Sequence, residues 1–195
     1  MMIRYILTCI KTTPKLLRQD FPDVKNLLKI GKGNKPQEQE ICFAKLLLDY
    51  NFKMLLKDEH PIAEPHFYYQ PSGTQRSPDF KVFYNGKNYK FDLKSTKGKT
   101  FYWNDGWYEN DNIYIINYVL KKSDQIYIGL GQYSYSEEEN TAIIERRRII
   151  KQLNALDKKV GNLRLYSRQA NQYSCDRFTD EFSNKNFQDV IKFLE

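Results

Sequence analysis

The sequence predicts an α/β fold in which a sheet of about five strands is accompanied by helices. Three observations carry that expectation. Asn85-Gly86 stands between two runs rich in Phe, Tyr and Val; two β-branched runs follow at 113–120 and 125–130; and residues 34–54 and 136–156 combine polar starts with apolar residues at helical spacing. A chain of 195 residues fits a single domain, 1–195, with a sizeable core. Its 41% hydrophobic and 28% charged residues exclude a disordered chain.

The net charge of +7, with a pI near 9.1, suits a polyanionic partner, although surplus lysine also serves plain solubility. Cys9, Cys42 and Cys175 are odd in number and widely spaced, which gives neither a zinc pattern nor a disulfide framework and fits a reducing cytoplasm. The first ten residues are too short and interrupted for a signal sequence, and no later run approaches a membrane span, so no membrane association is expected.

Up to Lys35 the chain shows only short apolar clusters, Leu16-Leu17 and Val24 to Ile30, broken by Pro14 and Pro22. Gly31-Lys32-Gly33 marks a loop, with too few glycines for a phosphate-binding loop. A helix is expected to open near Asn34-Lys35-Pro36, with Asn34 or a neighbour as cap and Pro36 in the first turn, and to run to about Met54. At 100° per residue Glu38 falls on the polar face with Lys45, Asp49 and Lys53, whereas Glu40 lies in line with Ala44, Leu47 and Asn51. A carboxylate on that side is either a helix-terminal acid favoured by the macrodipole or a third acid aimed at a site.

Residues 60–69 read as an extended, aromatic stretch. His60 and His66, the only two histidines, have no partner at ligand spacing and read as loop or surface residues. A polar loop, 70–77, then feeds Pro78-Asp79; a proline that cannot donate to a ladder belongs at the first residue of a strand. Asn85-Gly86 closes a two-residue type I′ hairpin, which pairs Tyr84 with Lys87, Val82 with Tyr89, Phe80 with Phe91 and Asp79 with Asp92. Alternation then puts Phe80, Val82, Tyr89, Phe91 and Leu93 on a core face, and Asp79, Asp92 and Lys94 together on the other.

Opposed carboxylates repel unless a cation occupies the gap. Two acids with a lysine on one face suit Mg²⁺-assisted hydrolysis: the acids bind the ion, and Lys94 orients or helps deprotonate the attacking water. With two histidines so placed, no Ser-His-Asp or Cys-His arrangement can be drawn, which disfavours covalent acyl chemistry.

Downstream, Lys97 and Lys99 precede an aromatic run from Phe101 to Tyr108, a combination that suits a nucleic-acid backbone and its bases but also an aromatic loop packed on its own sheet. Ser136 to Glu139 resembles a capping box for a helix to about Leu156, with Ile143, Ile144, Arg147, Ile150 and Leu153 on its stripe. Of Arg146, Arg147 and Arg148, at most two can face one ligand. Residues 161–172 start as a strand and end in Arg168, Gln169, Asn171 and Gln172, side chains that contact base edges in the major groove and equally decorate ordinary loops. Phe187, Val190, Ile191 and Leu194 suggest a short closing helix.

Pro78-Asp79, followed across a hairpin by Asp92-Leu93-Lys94, resembles the signature of the PD-(D/E)XK nucleases. The flanking residues 73–80 and 91–95 are similar to type II restriction endonucleases in particular. The resemblance covers roughly 37–130, the catalytic core. It implies a restriction-endonuclease-like mixed sheet flanked by helices, with Asp79 and Asp92 as metal ligands, Lys94 as the motif lysine and Glu40 as the helix acid. It also implies Mg²⁺-dependent cleavage of double-stranded DNA at a short specific sequence, usually by a homodimer; the alternatives are another nuclease of the superfamily, such as a junction resolvase or repair nuclease, and a basic DNA-binding module with a dead site. Gln75, Arg76, Lys97, Lys99, Arg168, Gln169, Asn171 and Gln172 are then the expected DNA contacts, and 131–195 is expected to serve recognition or dimerisation.

Overall fold

A computed structural model describes residues 2–29, 35–73, 77–98, 100–102, 108–121, 124–131, 135–160, 170–172 and 180–195, with the backbone alone for 100–102, 157–160 and 170–172. The chain opens with a helix absent from the expectations above, α1 (Met2–Thr12), whose Ile3, Ile6, Leu7 and Ile10 recur at helical spacing and are all buried. A 3-10 turn (Pro14–Arg18) and α2 (Pro22–Leu27) follow, each with proline in its first turn, where a missing N–H costs nothing.

Helix α3 (Glu38–Asp49) is shorter at both ends than expected. Gln37, not Asn34, is the N-cap, and the Glu40 carboxylate accepts the Gln37 N–H at 2.7 Å, leaving Pro36 outside the helix. At the other end Asn51 takes φ 62. The Phe52 N–H returns to the Leu47 carbonyl and the Asn51 N–H to that of Leu48, both at 3.0 Å. This is a Schellman ending with Asn in the left-handed position, sealed by burial of Leu47 and Phe52. The residues expected to prolong the helix form β1 (Lys53–Leu55) instead.

That strand raises the sheet from the expected five strands to six, in the order β1-β2-β3-β4-β6-β7. The others are β2 (His66–Tyr69), β3 (Phe80–Tyr84), β4 (Lys87–Thr96), β6 (Asn112–Val119) and β7 (Asp124–Leu130). The sheet is mixed: β1 runs parallel to β2 and β4 to β6, and the remaining pairs are antiparallel. The parallel β4–β6 pair requires a crossover, and that connection contains β5 (Thr100–Tyr102), which pairs outside the main sheet with β8 (Ala170–Gln172). A strand thus lies at the end of the segment where the sequence suggests a polar cluster; the preceding stretch, 161–169, is outside the described residues.

Helices cover both faces. α1, α2, α3 and α5 (Asp180–Phe193) pack on one, against Phe67, Phe80, Phe91 and Ile113 among others. A smaller cluster on the other gathers Tyr108, Tyr114, Ile116, Tyr118, Tyr127 and Tyr135 with Ile143 of α4 (Glu137–Val160). Ser136 and Glu139 cap α4 reciprocally, as expected. Its stripe is corrected, however: only Ile143 is buried, and Ile144 and Leu153 are exposed. Arg147 turns inward to donate to the Tyr108 carbonyl at 2.9 Å, Arg148 pairs with Glu145, and Arg146 stays exposed.

His66 is also corrected. It is 1% exposed, its Nδ1 lies 2.8 Å from the Glu64 carbonyl, and it stacks on Phe83 across the β2–β3 pair. An imidazole between aromatic neighbours is a core residue, whereas His60 is exposed as expected.

Candidate active site

The hairpin sets the geometry. Asn85 (φ 51) and Gly86 (φ 74) close the turn in the left-handed region, and the register is the expected one: Tyr84 opposite Lys87, Val82 opposite Tyr89 and Phe80 opposite Phe91. The ladder ends at Phe80 opposite Phe91; Asp79 stands one residue before β3, near enough to Asp92 for that charge to act on it. The core face is filled as the alternation requires, with Phe80, Val82, Tyr89, Phe91 and Leu93 all buried. On the opposite face a row of Tyr68, Lys81, Lys90 and Asn112 flanks the carboxylate row, and Lys94 begins the next.

Asp79 is fixed by backbone on both sides. Its carbonyl accepts the Gln70 N–H at 2.7 Å, and its Oδ2 accepts the Leu93 N–H at 2.8 Å. Asp92, 3% exposed, has both oxygens occupied. Oδ1 accepts from Lys94 Nζ at 3.2 Å; Oδ2 accepts from the Ser77 hydroxyl and from Asn112 Nδ2, the latter at 2.9 Å. Glu40 arrives from α3. Phe43, one turn along, meets Phe80 and Phe91 with ring centroids 5.1 Å away, which anchors the helix start over the hairpin. Glu40 is buried, with Oε2 taking the Gln37 N–H and, at 2.8 Å, the Tyr69 hydroxyl. The helix-terminal reading of Glu40 is met, since its carboxylate caps its own helix; its charge also reaches Lys94 and Asp92, although its hydrogen bonds go to Gln37 and Tyr69. Glu38 faces solvent.

The electrostatics follow from burial. Burial first, and the charge of Asp92 second, push the Asp79 carboxyl well above the usual range. Burial also raises Glu40. For Lys94 burial acts downward, yet Asp92, Asp79 and Glu40 together outweigh it and hold the ammonium above its ordinary value. The cluster is thus an over-supply of negative charge around one lysine.

Oxygen donors of this kind fit a hard divalent cation. Among the described residues no three His, Cys, Asp or Glu side chains converge as a metal cage. A neighbouring pair of carboxylates, to be completed by water and a substrate phosphate, is the way Mg²⁺ is commonly held. The raised Asp79 is the observation that a cation at the pair would relieve.

Of the expected DNA contacts, Lys97 is exposed just beyond β4. Asn171 and Gln172 lie on β8, opposite Phe101 and Thr100 of β5. Gln75, Arg76, Lys99, Arg168 and Gln169 are outside the described residues. Tyr108, at the end of the aromatic run, is buried and stacks on Tyr135 with centroids 5.0 Å apart. Ser77, Asn112 and Tyr69 are site residues that sequence reasoning did not single out. Ser77 adjoins the motif, but Asn112 reaches Asp92 only through the parallel β4–β6 pairing, for which no local signal exists.

Among the described residues no helix is long and apolar enough to cross a membrane. No family model matches the chain, and neither the curated proteins nor the solved structures hold a significant match.

Proposed function

We propose that the protein is a Mg²⁺-dependent deoxyribonuclease of the PD-(D/E)XK kind, with a restriction-endonuclease-like core, that cleaves double-stranded DNA at a short specific sequence as a homodimer. The observation that carries this reading is the clustering of Asp79, Asp92 and Lys94 at the base of one hairpin, with the acids close enough for their charges to act on each other and on the lysine. The Lys94 ammonium offsets part of that repulsion, and a divalent cation would relieve the rest.

In this reading Asp79 and Asp92 hold Mg²⁺, which when bound supplies charge neutralisation at the scissile phosphate and a more acidic water. Asp92 presents its carboxylate in one fixed orientation because three donors grip it. Lys94, held charged by the surrounding acids, orients the attacking water and stabilises charge developing on the phosphate oxygens. Glu40, fixed by Tyr69 and Gln37, contributes field rather than ligation. The excess of basic residues draws in the phosphate backbone. β5, in the connection after β4, and β8, between α4 and α5, form a two-stranded ribbon, an element whose width suits a major groove.

The test is a digest of sequenced plasmid DNA with Mg²⁺ or with chelator, followed by mapping of the ends. Discrete fragments that vanish with chelator, and vanish again for a folded Asp92→Asn variant, are expected. A Mg²⁺-dependent smear would leave a nuclease without sequence specificity, and undigested DNA under all conditions would remove the reading.

A further inference from the structure

Asn112 is the first residue of β6 and 1% exposed. Its Nδ2 serves two acceptors, Asp92 Oδ2 at 2.9 Å and Ser77 Oγ at 2.6 Å. The Ser77 hydroxyl in turn donates to the same Asp92 oxygen, closing a triangle of Asn112, Ser77 and Asp92. The Asn112 Oδ1, also buried, has no hydrogen-bond partner among the described residues. Turning the amide over would set its oxygen against the carboxylate and the hydroxyl oxygen, acceptor against acceptor, so the orientation is chemically determined.

A buried acceptor without a partner costs on the order of 1–3 kcal/mol. A side chain needed only to fill this space would be apolar, and leucine has nearly the same shape as asparagine. What leucine cannot supply is the other end of the amide, the donor to Asp92 and Ser77. With Lys94 on Oδ1 and the Ser77–Asn112 pair on Oδ2, the carboxylate plane of Asp92 cannot rotate. Such outer partners orient a ligand for its metal, and their loss typically costs about 10–100-fold in metal affinity.

We propose that Asn112, assisted by Ser77, is a positioning residue that sets the Asp92 carboxylate for a divalent cation. The proposal rests on the metal-dependent reading above. Its test is calorimetric titration of the metal-free protein with Mn²⁺, alongside thermal unfolding and the Mg²⁺ dependence of cleavage. Asn112→Leu is expected to weaken Mn²⁺ binding about 10–100-fold while changing Tm little, because removal of the unpartnered acceptor offsets loss of the Nδ2 donor to Asp92 and Ser77. Cleavage by that variant falls at low Mg²⁺ and recovers as Mg²⁺ is raised, a rescue that a merely structural role does not give. Asn112→Ala, which places no bulk beside Asp92, shows the same loss and serves where the leucine variant does not fold. A folded variant of either kind that binds Mn²⁺ as tightly as the wild type overturns the positioning role alone. Absence of Mn²⁺ binding by the wild type overturns the metal reading and the proposal together.

Discussion

At the scale of single residues, Asp79 makes the sharpest demand on the metal-free protein. Its folded pKa is raised above the unfolded value by burial and by Asp92. The stabilisation belonging to that group is therefore complete below the unfolded pKa and is lost as pH rises through the folded one. Metal-free protein is expected to lose Tm between about pH 4 and neutrality and beyond, and Asp79→Asn, which cannot ionise, is expected to remove much of that loss. Mg²⁺ should raise the wild-type Tm more at pH 8 than at pH 5; an equal rise at both, read by calorimetry, would separate the cation from this pair. The hairpin pairing from Tyr84 and Lys87 to Phe80 and Phe91 was legible because it follows from a two-residue turn, the most local information a sheet contains. Asn112 was not, since its approach to Asp92 depends on strands twenty positions apart brought side by side by a crossover.

Elements show the same division between local and distant information. The start of α4 was legible because Ser136 and Glu139 cap each other within four residues. The end of α3 was overrun because its terminator is an asparagine rather than glycine, and Asn51 also fits an amphipathic count. Asn51→Ala is expected to destabilise by about 1 kcal/mol, the cost of an ordinary side chain in the left-handed region, whereas Asn51→Gly should be close to neutral by urea unfolding. Equal losses in both would mean that the Schellman ending does not hold α3 against β1. The β5–β8 pair lay beyond sequence reasoning for another reason: its strands are three residues each and about seventy positions apart, so neither carries a periodic signal. His66 misled because a polar residue type was read without the aromatic neighbours that sheet pairing supplies.

Over the whole molecule, the α/β class and the helix-covered sheet were legible from hydrophobic patterning, whereas the strand order and the two-sided helix packing arise from contacts that no pattern encodes. Charge acts at this scale as well. On the nuclease reading proposed above, and with a surplus of seven positive charges, duplex binding by the Asp92→Asn variant is expected to weaken steeply with salt. The logarithm of affinity should fall by about 0.9 per decade of salt for each phosphate neutralised. Lys97→Ala and Lys81→Ala should each lower that slope by about one and weaken all sequences alike, measured by fluorescence anisotropy. A slope near zero would mean that the basic surplus serves solubility.

The bond from the Leu93 N–H to the Asp79 carboxylate has a use beyond its geometry. The ladder has ended at Phe80 and Phe91, and Pro78, two residues earlier, has no N–H to return, so the acid's side chain takes the place of a strand. A hydrogen bond to a charged acceptor is shorter and stronger than one to a neutral acceptor. The backbone amide of Leu93 is accordingly a spectroscopic reporter built into the site. Its proton resonance should move with pH in the metal-free protein and move again on addition of Mg²⁺. In Asp79→Asn, where the acceptor remains but the charge does not, the pH response should vanish, allowing the ionisation of one carboxylate to be followed without any reaction taking place.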